Sequence, residues 1–249
     1  MRMVRYSGAG NTFFLADNRK ATFDIQQVHA LCKMGHVDGL ILAEETLDAD
    51  ARMRIFNSDG SEAEMCGNGL RCLIHFLRAE GVERQVYCIE TLAGRHTGWF
   101  AGEEVCVQLP KPKNLKLHLA TDLHFVDTGV PHAVQIVPDL DNVDVSSWGK
   151  RLRSSPLFAP AGANANFISL LMDSTLAVRT YERGVEAETQ ACGTGATASA
   201  LIAHKLFQLP SPIKIKVRSG EILKISFNHD FSEVTLQGPV ERSSESCQV

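Results

Sequence analysis

Ile55-Phe56-Asn57-Ser58-Asp59-Gly60-Ser61-Glu62-Ala63-Glu64-Met65-Cys66-Gly67-Asn68-Gly69-Leu70-Arg71-Cys72-Leu73-Ile74-His75-Phe76-Leu77 is the stretch on which the reading of this chain turns. Met53 to Phe56 is a short apolar strand signal, and Asp59-Gly60 centres a polar turn. After Cys66-Gly67-Asn68-Gly69 the apolar residues Leu70, Leu73, Ile74 and Leu77 follow helical spacing. Cys66 is therefore expected at the mouth of a helix. Unpaired backbone N–H groups and the positive end of the macrodipole there favour a thiolate over a thiol. The two glycines let backbone amides approach an anion such as an amino acid carboxylate.

The arrangement occurs twice. Tyr181-Glu182-Arg183-Gly184-Val185-Glu186-Ala187-Glu188-Thr189-Gln190-Ala191-Cys192-Gly193-Thr194-Gly195 again reads strand, polar turn, Cys-Gly-x-Gly, and opens a helical run from Ala196 to Phe207. Glu62 and Glu188 each stand four residues before their cysteine. One Cys-Gly-x-Gly is a weak signal, but two in matching contexts divide the chain into halves with one cysteine each.

The flanking segments repeat the same order. Val4 to Tyr6 and Phe13 to Ala16 read as strands around the turn Ser7-Gly8-Ala9-Gly10-Asn11. Ile25 to Met34 reads as a helix, and Gly39 to Ala43 as a strand. Beyond the Cys66 helix, Val86 to Thr91, His96 to Phe100 and Val105 to Leu109 form a three-strand meander. After the linker signal Pro110-Lys111-Pro112-Lys113, strands are expected at Phe125 to Asp127 and Ala133 to Val137, then a helix over Asp141 to Leu152. Phe167 to Leu171 and Leu176 to Tyr181 follow as strands. A second meander follows the Cys192 helix at Ile213 to Val217, Glu221 to Phe227 and Glu233 to Gln237, and the polar tail Ser243 to Val249 reads as loose.

A helix as apolar as the one after Cys66 is better buried by a curved sheet than left on a surface. The expectation is an α+β fold of two pseudo-symmetric halves, each an antiparallel-rich sheet wrapped round a central helix. The first half covers residues 1–112, with residues 239–249 returning to it, and the second covers 113–238. A pseudo-twofold would bring the two cysteine-bearing helix starts face to face at one cleft.

Composition narrows the function. Charged residues are 22% and apolar residues 44%, which suits a soluble globular protein, and the net charge of −4 offers no case for nucleic acid or an anionic membrane. No segment has the length of a signal peptide or a membrane span. Seven scattered cysteines argue against a secreted disulfide framework and for a reducing cytoplasm. Gly8-x-Gly10 lacks the spacing of a phosphate loop. Close Cys or His pairs for a metal are missing, so no metal and no cofactor are expected.

Two cysteines on opposite sides of a cleft suit removal of a proton from one face of a carbon and its return to the other, one sulfur as thiolate base and one as thiol acid. The α-proton of an amino acid is very weakly acidic. Amides near Gly67-Asn68 and Gly193-Thr194 are the natural stabilisers of the carbanion-like state. Against this, Cys32, Cys72, Cys88 and Cys106 read as inert packing and Cys247 as incidental, and a structural Cys66–Cys192 disulfide is disfavoured by the compartment. His132, in a turn after Gly129-Val130-Pro131, reads as more functional than His75 or His204. Glu182-Arg183 reads either as a surface ion pair or as a clamp on a substrate amine and carboxylate.

Ser7-Gly8-Ala9-Gly10-Asn11, Phe56 to Glu62, Cys66-Gly67-Asn68-Gly69-x-Arg71-Cys72 and the run from Tyr181 to Gly195 resemble diaminopimelate epimerase over nearly the whole chain. The resemblance implies a cofactor-independent, two-base enzyme interconverting LL- and meso-diaminopimelate, usually a homodimer. It implies Cys66 and Cys192 as the acid/base pair, supported by His132 and Glu182. Substrate would be bound by Asn11, Asn57, Asn164, Glu182 and Arg183, with the amides at Gly67, Asn68, Gly193 and Thr194 on the reacting carboxylate. The alternatives are a racemase of a smaller amino acid such as glutamate, and a non-catalytic amino acid-binding protein. Three departures stand out. The family usually has Gln at Gly39 and Asn at Val130, and commonly two residues rather than three between Gly184 and Glu188. The first two predict looser recognition of the substrate's distal end.

Overall fold

The computed structural model describes residues 2–20 and 23–248, the side chains of 245–248 excepted. It divides into two compact units, residues 1–108 with 237–249, and residues 109–236. In the first, β1 (Arg2–Gly8) and β2 (Asn11–Asp17) precede α1 (Val28–Gly35), β3 (Gly39–Glu44), β4 (Ala51–Asn57) and the two-residue β5 (Glu62–Ala63). Then come α2 (Gly67–Ala79), β6 (Tyr87–Thr91), β7 (Gly94–Ala101) and β8 (Glu104–Leu109). The second repeats this after an extra strand: β9 (Lys113–Ala120), β10 (Leu123–Asp127), β11 (Pro131–Ile136), α3 (Val145–Arg153), β12 (Asn164–Leu170), β13 (Leu176–Glu182) and β14 (Ala187–Thr189). It continues with α4 (Gly193–Phe207), β15 (Ile213–Lys216), β16 (Ile222–Phe227) and β17 (Val234–Gly238), and β18 (Glu241–Gln248) ends the chain.

The pairing repeats strand for strand. β1–β2, β3–β4, β4–β5 and β6–β7 are antiparallel, while β2–β3 and β4–β6 are parallel. β10–β11, β12–β13, β13–β14 and β15–β16 are antiparallel, while β11–β12 and β13–β15 are parallel. These pairings of the described residues are thus mainly antiparallel, two in each unit being parallel. The outer partner of β1 is β18, and that of β10 is β9. The tail from Ser243, expected to be loose, is therefore largely strand; its last residue, Val249, lies outside the described residues, as does the Cys247 side chain. The linker signal at Pro110 to Lys113 runs straight into β9, which the sequence pattern did not reveal.

Each sheet encloses its long helix. From Asn68 to Leu77 every residue of α2 except His75 is buried, with β1, β2, β3, β4 and β7 packed around it. α4 is buried continuously from Gly195 to Ala203 and meets β10 to β13, β15 and β16. Burying Leu70, Leu73, Ile74 and Leu77 contributes about 1.5–3 kcal/mol each, which makes α2 the anchor of its unit. α1 and α3 pack elsewhere: Val28 and Leu31 join Phe14, Leu40 and Leu42, and Val145 joins Phe167 and Tyr181. α3 starts later than the sequence suggested because Asp144 caps it, its carboxylate accepting from Ser147 N at 3.1 Å.

Candidate active site

Both cysteines occupy the same structural position. Cys66 is the N-cap of α2, with extended backbone at φ −140°, and its Sγ accepts from Gly69 N at 3.4 Å. Cys192 is the N-cap of α4, with φ −116°, and its Sγ accepts from Gly195 N at 3.4 Å. Cysteine here takes the place of the usual Ser, Thr, Asp or Asn cap. Each sulfur thus meets an oriented amide at the positive end of a buried helix, the contact that a thiolate accepts. The other cysteines differ. Cys32 and Cys72 lie within α1 and α2 and Cys88 and Cys106 within β6 and β8, none at a helix start, and burial pushes the Cys32 thiol up to about 11, with Asp38 adding to it.

In the first unit, Asn11 follows the β1–β2 turn, where Ala9 and Gly10 both adopt positive φ. Its Oδ1 accepts from Asn68 Nδ2 at 2.7 Å, and Asn68 Oδ1 accepts from Arg71 Nη2 at 3.0 Å. Arg71 is fully buried on α2 and orients Asn68, a role that an arginine amid Leu70, Cys72 and Leu73 hints at by breaking an apolar face. Asn57 is exposed, and its Nδ2 donates to Ser61 Oγ at 3.0 Å.

In the second unit His132 is not in a turn. It is the second residue of β11 and is completely buried. Burial, reinforced by the Arg183 charge, holds its pKa down to about 3, so the ring is neutral. Asn164 Oδ1 accepts from Arg183 N at 2.7 Å, and Arg183 Nη1 donates to Ala161 O at 3.1 Å. Glu182 and Arg183 are therefore not a surface ion pair: Glu182 Oε1 accepts from Thr189 Oγ1 at 2.5 Å and hydrogen-bonds Cys192. Thr194 Oγ1 lies 3.4 Å from Cys192 Sγ, and Thr194 O accepts from Thr128 Oγ1 at 3.0 Å. Thr189 and Asn166, neither given a role by the sequence, join this set.

Burial pushes the Glu182 carboxyl above the usual carboxylate range, outweighing the hydrogen bonds from Thr189 and Cys192 that favour the ionised form. A raised acid contributes fully below its unfolded pKa, and that contribution is lost as pH rises through the folded value. Glu182→Gln carries no such charge. Its melting temperature should therefore gain on wild type as pH rises above the ordinary glutamate value of about 4.3. A difference that stays flat there would show that ionising Glu182 costs the fold nothing.

Glu62 and Glu188, each four residues before its cysteine, are both gripped by an arginine of the paired strand. Glu62 receives both Nε and Nη2 of Arg54, at 2.8 and 2.9 Å, and Glu188 receives both of Arg179, at 2.7 and 2.8 Å. These forks tie β5 to β4 and β14 to β13, closing each polar turn just before its cysteine. The longer turn of the second unit has its own tie, with Arg153 Nε donating to Glu186 Oε1 at 2.8 Å. Gly39 has a packing reason: a Cβ there would collide with the carbonyl oxygen of Phe56 on the paired strand. A side chain at 39 would have to displace that strand, so the family's Gln has no room on this backbone.

Among the described residues no group of three or more His, Cys, Asp or Glu is placed to hold a metal ion, and no helix is long and apolar enough to cross a membrane. Among solved structures, a Bacillus anthracis phenazine biosynthesis protein of the PhzF family is similar with a TM-score of 0.77 at 16% identity, covering 100% of this chain and 98% of that one. A hydroxyproline epimerase from Agrobacterium vitis, with bound trans-4-hydroxy-L-proline, is similar with a TM-score of 0.72 at 17% identity, covering 100% and 90%. At such identities these likenesses establish the fold alone, the two-unit α+β architecture described above. In sequence, the diaminopimelate epimerase of Chlamydia muridarum is 43% identical, covering 94% of this chain and 90% of its own length. That of Chlorobaculum tepidum is 40% identical over 94% and 95%, and that of Aquifex aeolicus 38% over 98% and 96%. The family model for diaminopimelate epimerase matches residues 3–112 and 124–242, and so takes in both cysteine caps and every polar group gathered around them. The chain belongs to the diaminopimelate epimerase family.

Proposed function

We propose that this protein is an isomerase that interconverts LL- and meso-diaminopimelate, serving lysine and peptidoglycan synthesis. One observation carries the reading: a chain of this family holds two cysteines, one per unit, each capping a buried helix with the same sulfur–amide contact. Neither simple binding nor packing calls for that duplication, which is why a non-catalytic binding protein is the weaker reading.

In the proposed reaction the thiolate of one cysteine takes the α-proton, leaving negative charge shared between the α-carbon and the carboxylate. The thiol of the other gives a proton to the opposite face. Each turnover inverts the carbon and exchanges the protonation states of the two sulfurs. The amides of Gly67, Asn68, Gly193 and Thr194 stabilise the carboxylate as charge develops. His132 and Glu182 support catalysis, Glu182 through its hydrogen bond with Cys192, and Asn11, Asn57, Asn164, Glu182 and Arg183 bind the substrate. The reading takes the enzyme to be a cytoplasmic homodimer that uses neither metal nor organic cofactor. The homodimer rests on the family resemblance, and the compartment on seven scattered cysteines.

The test is incubation of either diaminopimelate stereoisomer with the enzyme in deuterated water. Inverted product should carry deuterium at the α-carbon, and full rate should survive a chelator. Inversion without deuterium, or turnover of glutamate but not of diaminopimelate, would replace this reading with another.

A further inference from the structure

The repeat sets two chemically different layers in equivalent positions. Beneath the start of α2, Ile41 of β3 pairs with Ile55 of β4, and a Cβ on Gly69 would lie 2.9 and 3.1 Å from their Cδ1 atoms. Beneath the start of α4, Asn166 of β12 pairs with Thr180 of β13, and a Cβ on Gly195 would collide with Asn166 Oδ1. The scaffold accepts an all-apolar layer at this place, so a buried polar one needs another reason.

The hydrogen bonds supply it. Asn166 is completely buried, and its Nδ2 donates to Ala133 O at 2.9 Å. A carbonyl can only accept, so the amide nitrogen must lie on that side and the amide oxygen on the other, where it accepts from Thr180 Oγ1 at 3.0 Å. The same Nδ2 lies 3.0 Å from His132 Nδ1. Facing an N–H donor, Nδ1 must be the lone-pair nitrogen, and the ring proton must sit on Nε2. His132 Nε2 is buried and has no protein partner among the described residues.

We propose that Asn166, held by Thr180, is a positioning residue that locks His132 as the Nε2–H tautomer, so that Nε2–H serves as a fixed donor to the reacting substrate or thiol. The proposal rests on the epimerase reading for the use of that donor, but not for its existence. It also explains the second glycine of the Cys192 motif, which admits the Asn166 side chain beneath the helix start.

The experiment is nitrogen-15 spectroscopy of histidine-labelled full-length protein at about pH 7, with His132→Gln assigning the signal. Kinetics on diaminopimelate accompany it for two near-isosteric variants. In wild type the proton should be on Nε2. Asn166→Asp offers Nδ1 an acceptor in place of a donor; it should move the proton to Nδ1 or charge the ring. Its kcat should fall roughly ten- to a hundredfold with little change in KM, by analogy with the loss that follows removal of the partner orienting a metal-bound histidine. Thr180→Val should fold, keep the tautomer partly and lose about fivefold. A wild-type ring protonated on Nδ1 overturns the proposal. So does an Asn166→Asp enzyme with the shifted tautomer and undiminished kcat. An Nε2–H ring in a protein that does not turn over diaminopimelate supports the lock while sinking the epimerase reading.

Discussion

Cys66→Ala and Cys192→Ala should each lower kcat for diaminopimelate epimerisation by roughly a thousandfold or more, within the range ascribed to positioned acid–base groups. The two losses should not be alike in what remains. If each sulfur serves one face of the α-carbon, Cys66→Ala leaves only Cys192, which can take the proton from one stereoisomer and, after exchange with solvent, return deuterium to the same face. That variant should wash deuterium into one of LL- and meso-diaminopimelate without inverting it. Cys192→Ala should do so with the other. Complementary one-sided exchange is hard to obtain from a single-base site, where one variant would be dead and the other nearly normal. Near wild-type inversion by either alanine variant would end the two-base assignment. Both variants should fold, because truncating a cap costs about 1 kcal/mol, and each helix is held by its long buried stretch, Asn68 to Leu77 apart from His75 and Gly195 to Ala203, rather than by its cap.

Much of this was legible in the sequence because the strongest local signals coincide with the site. Cys-Gly-x-Gly followed by helical spacing marks a helix start whatever the surroundings, and its recurrence reveals the repeat. Alternating apolar residues identify β4 and β13. The features missed are those decided by tertiary contacts. β5 and β14 are only two and three residues long and exist because Arg54 and Arg179 fork onto Glu62 and Glu188; no propensity in Glu62-Ala63 announces a strand. β18 is polar and gains its strand character from pairing with β1. His132 read as a turn residue because Gly129-Val130-Pro131 precedes it, yet β11 begins at Pro131, where a missing N–H is tolerated. The sequence singles out Asn164 and not Asn166, although alternation puts both on one face of β12. Both are buried; what separates them is the partner, Arg183 N for Asn164 and the Ala133 carbonyl and His132 ring for Asn166, and partners are a property of the fold.

The repeat also separates two glycines that the sequence treats as one. Gly69→Ala brings a methyl against Ile41 Cδ1 at 2.9 Å and Ile55 Cδ1 at 3.1 Å. Both are ends of flexible side chains that can yield by a few tenths of an ångström, and alanine in a helix recovers about 1 kcal/mol over glycine. The net change should stay within about 1 kcal/mol, with most activity retained. Gly195→Ala meets Asn166 Oδ1, which cannot yield without breaking its bond from Thr180 or dragging Nδ2 from Ala133 and His132. Overpacking at about 1–3 kcal/mol and a disrupted buried hydrogen bond of similar size both oppose the helix gain. Gly195→Ala should therefore destabilise by about 3 kcal/mol and reduce kcat roughly a hundredfold, since it displaces the groups under Cys192 as well as the amide bonded to its sulfur. Thermal melts and single-turnover kinetics on the two variants decide the matter. Equal penalties would mean that the polar layer beneath α4 is no more rigid than the apolar layer beneath α2, and that its hydrogen bonds do not hold Asn166 in place.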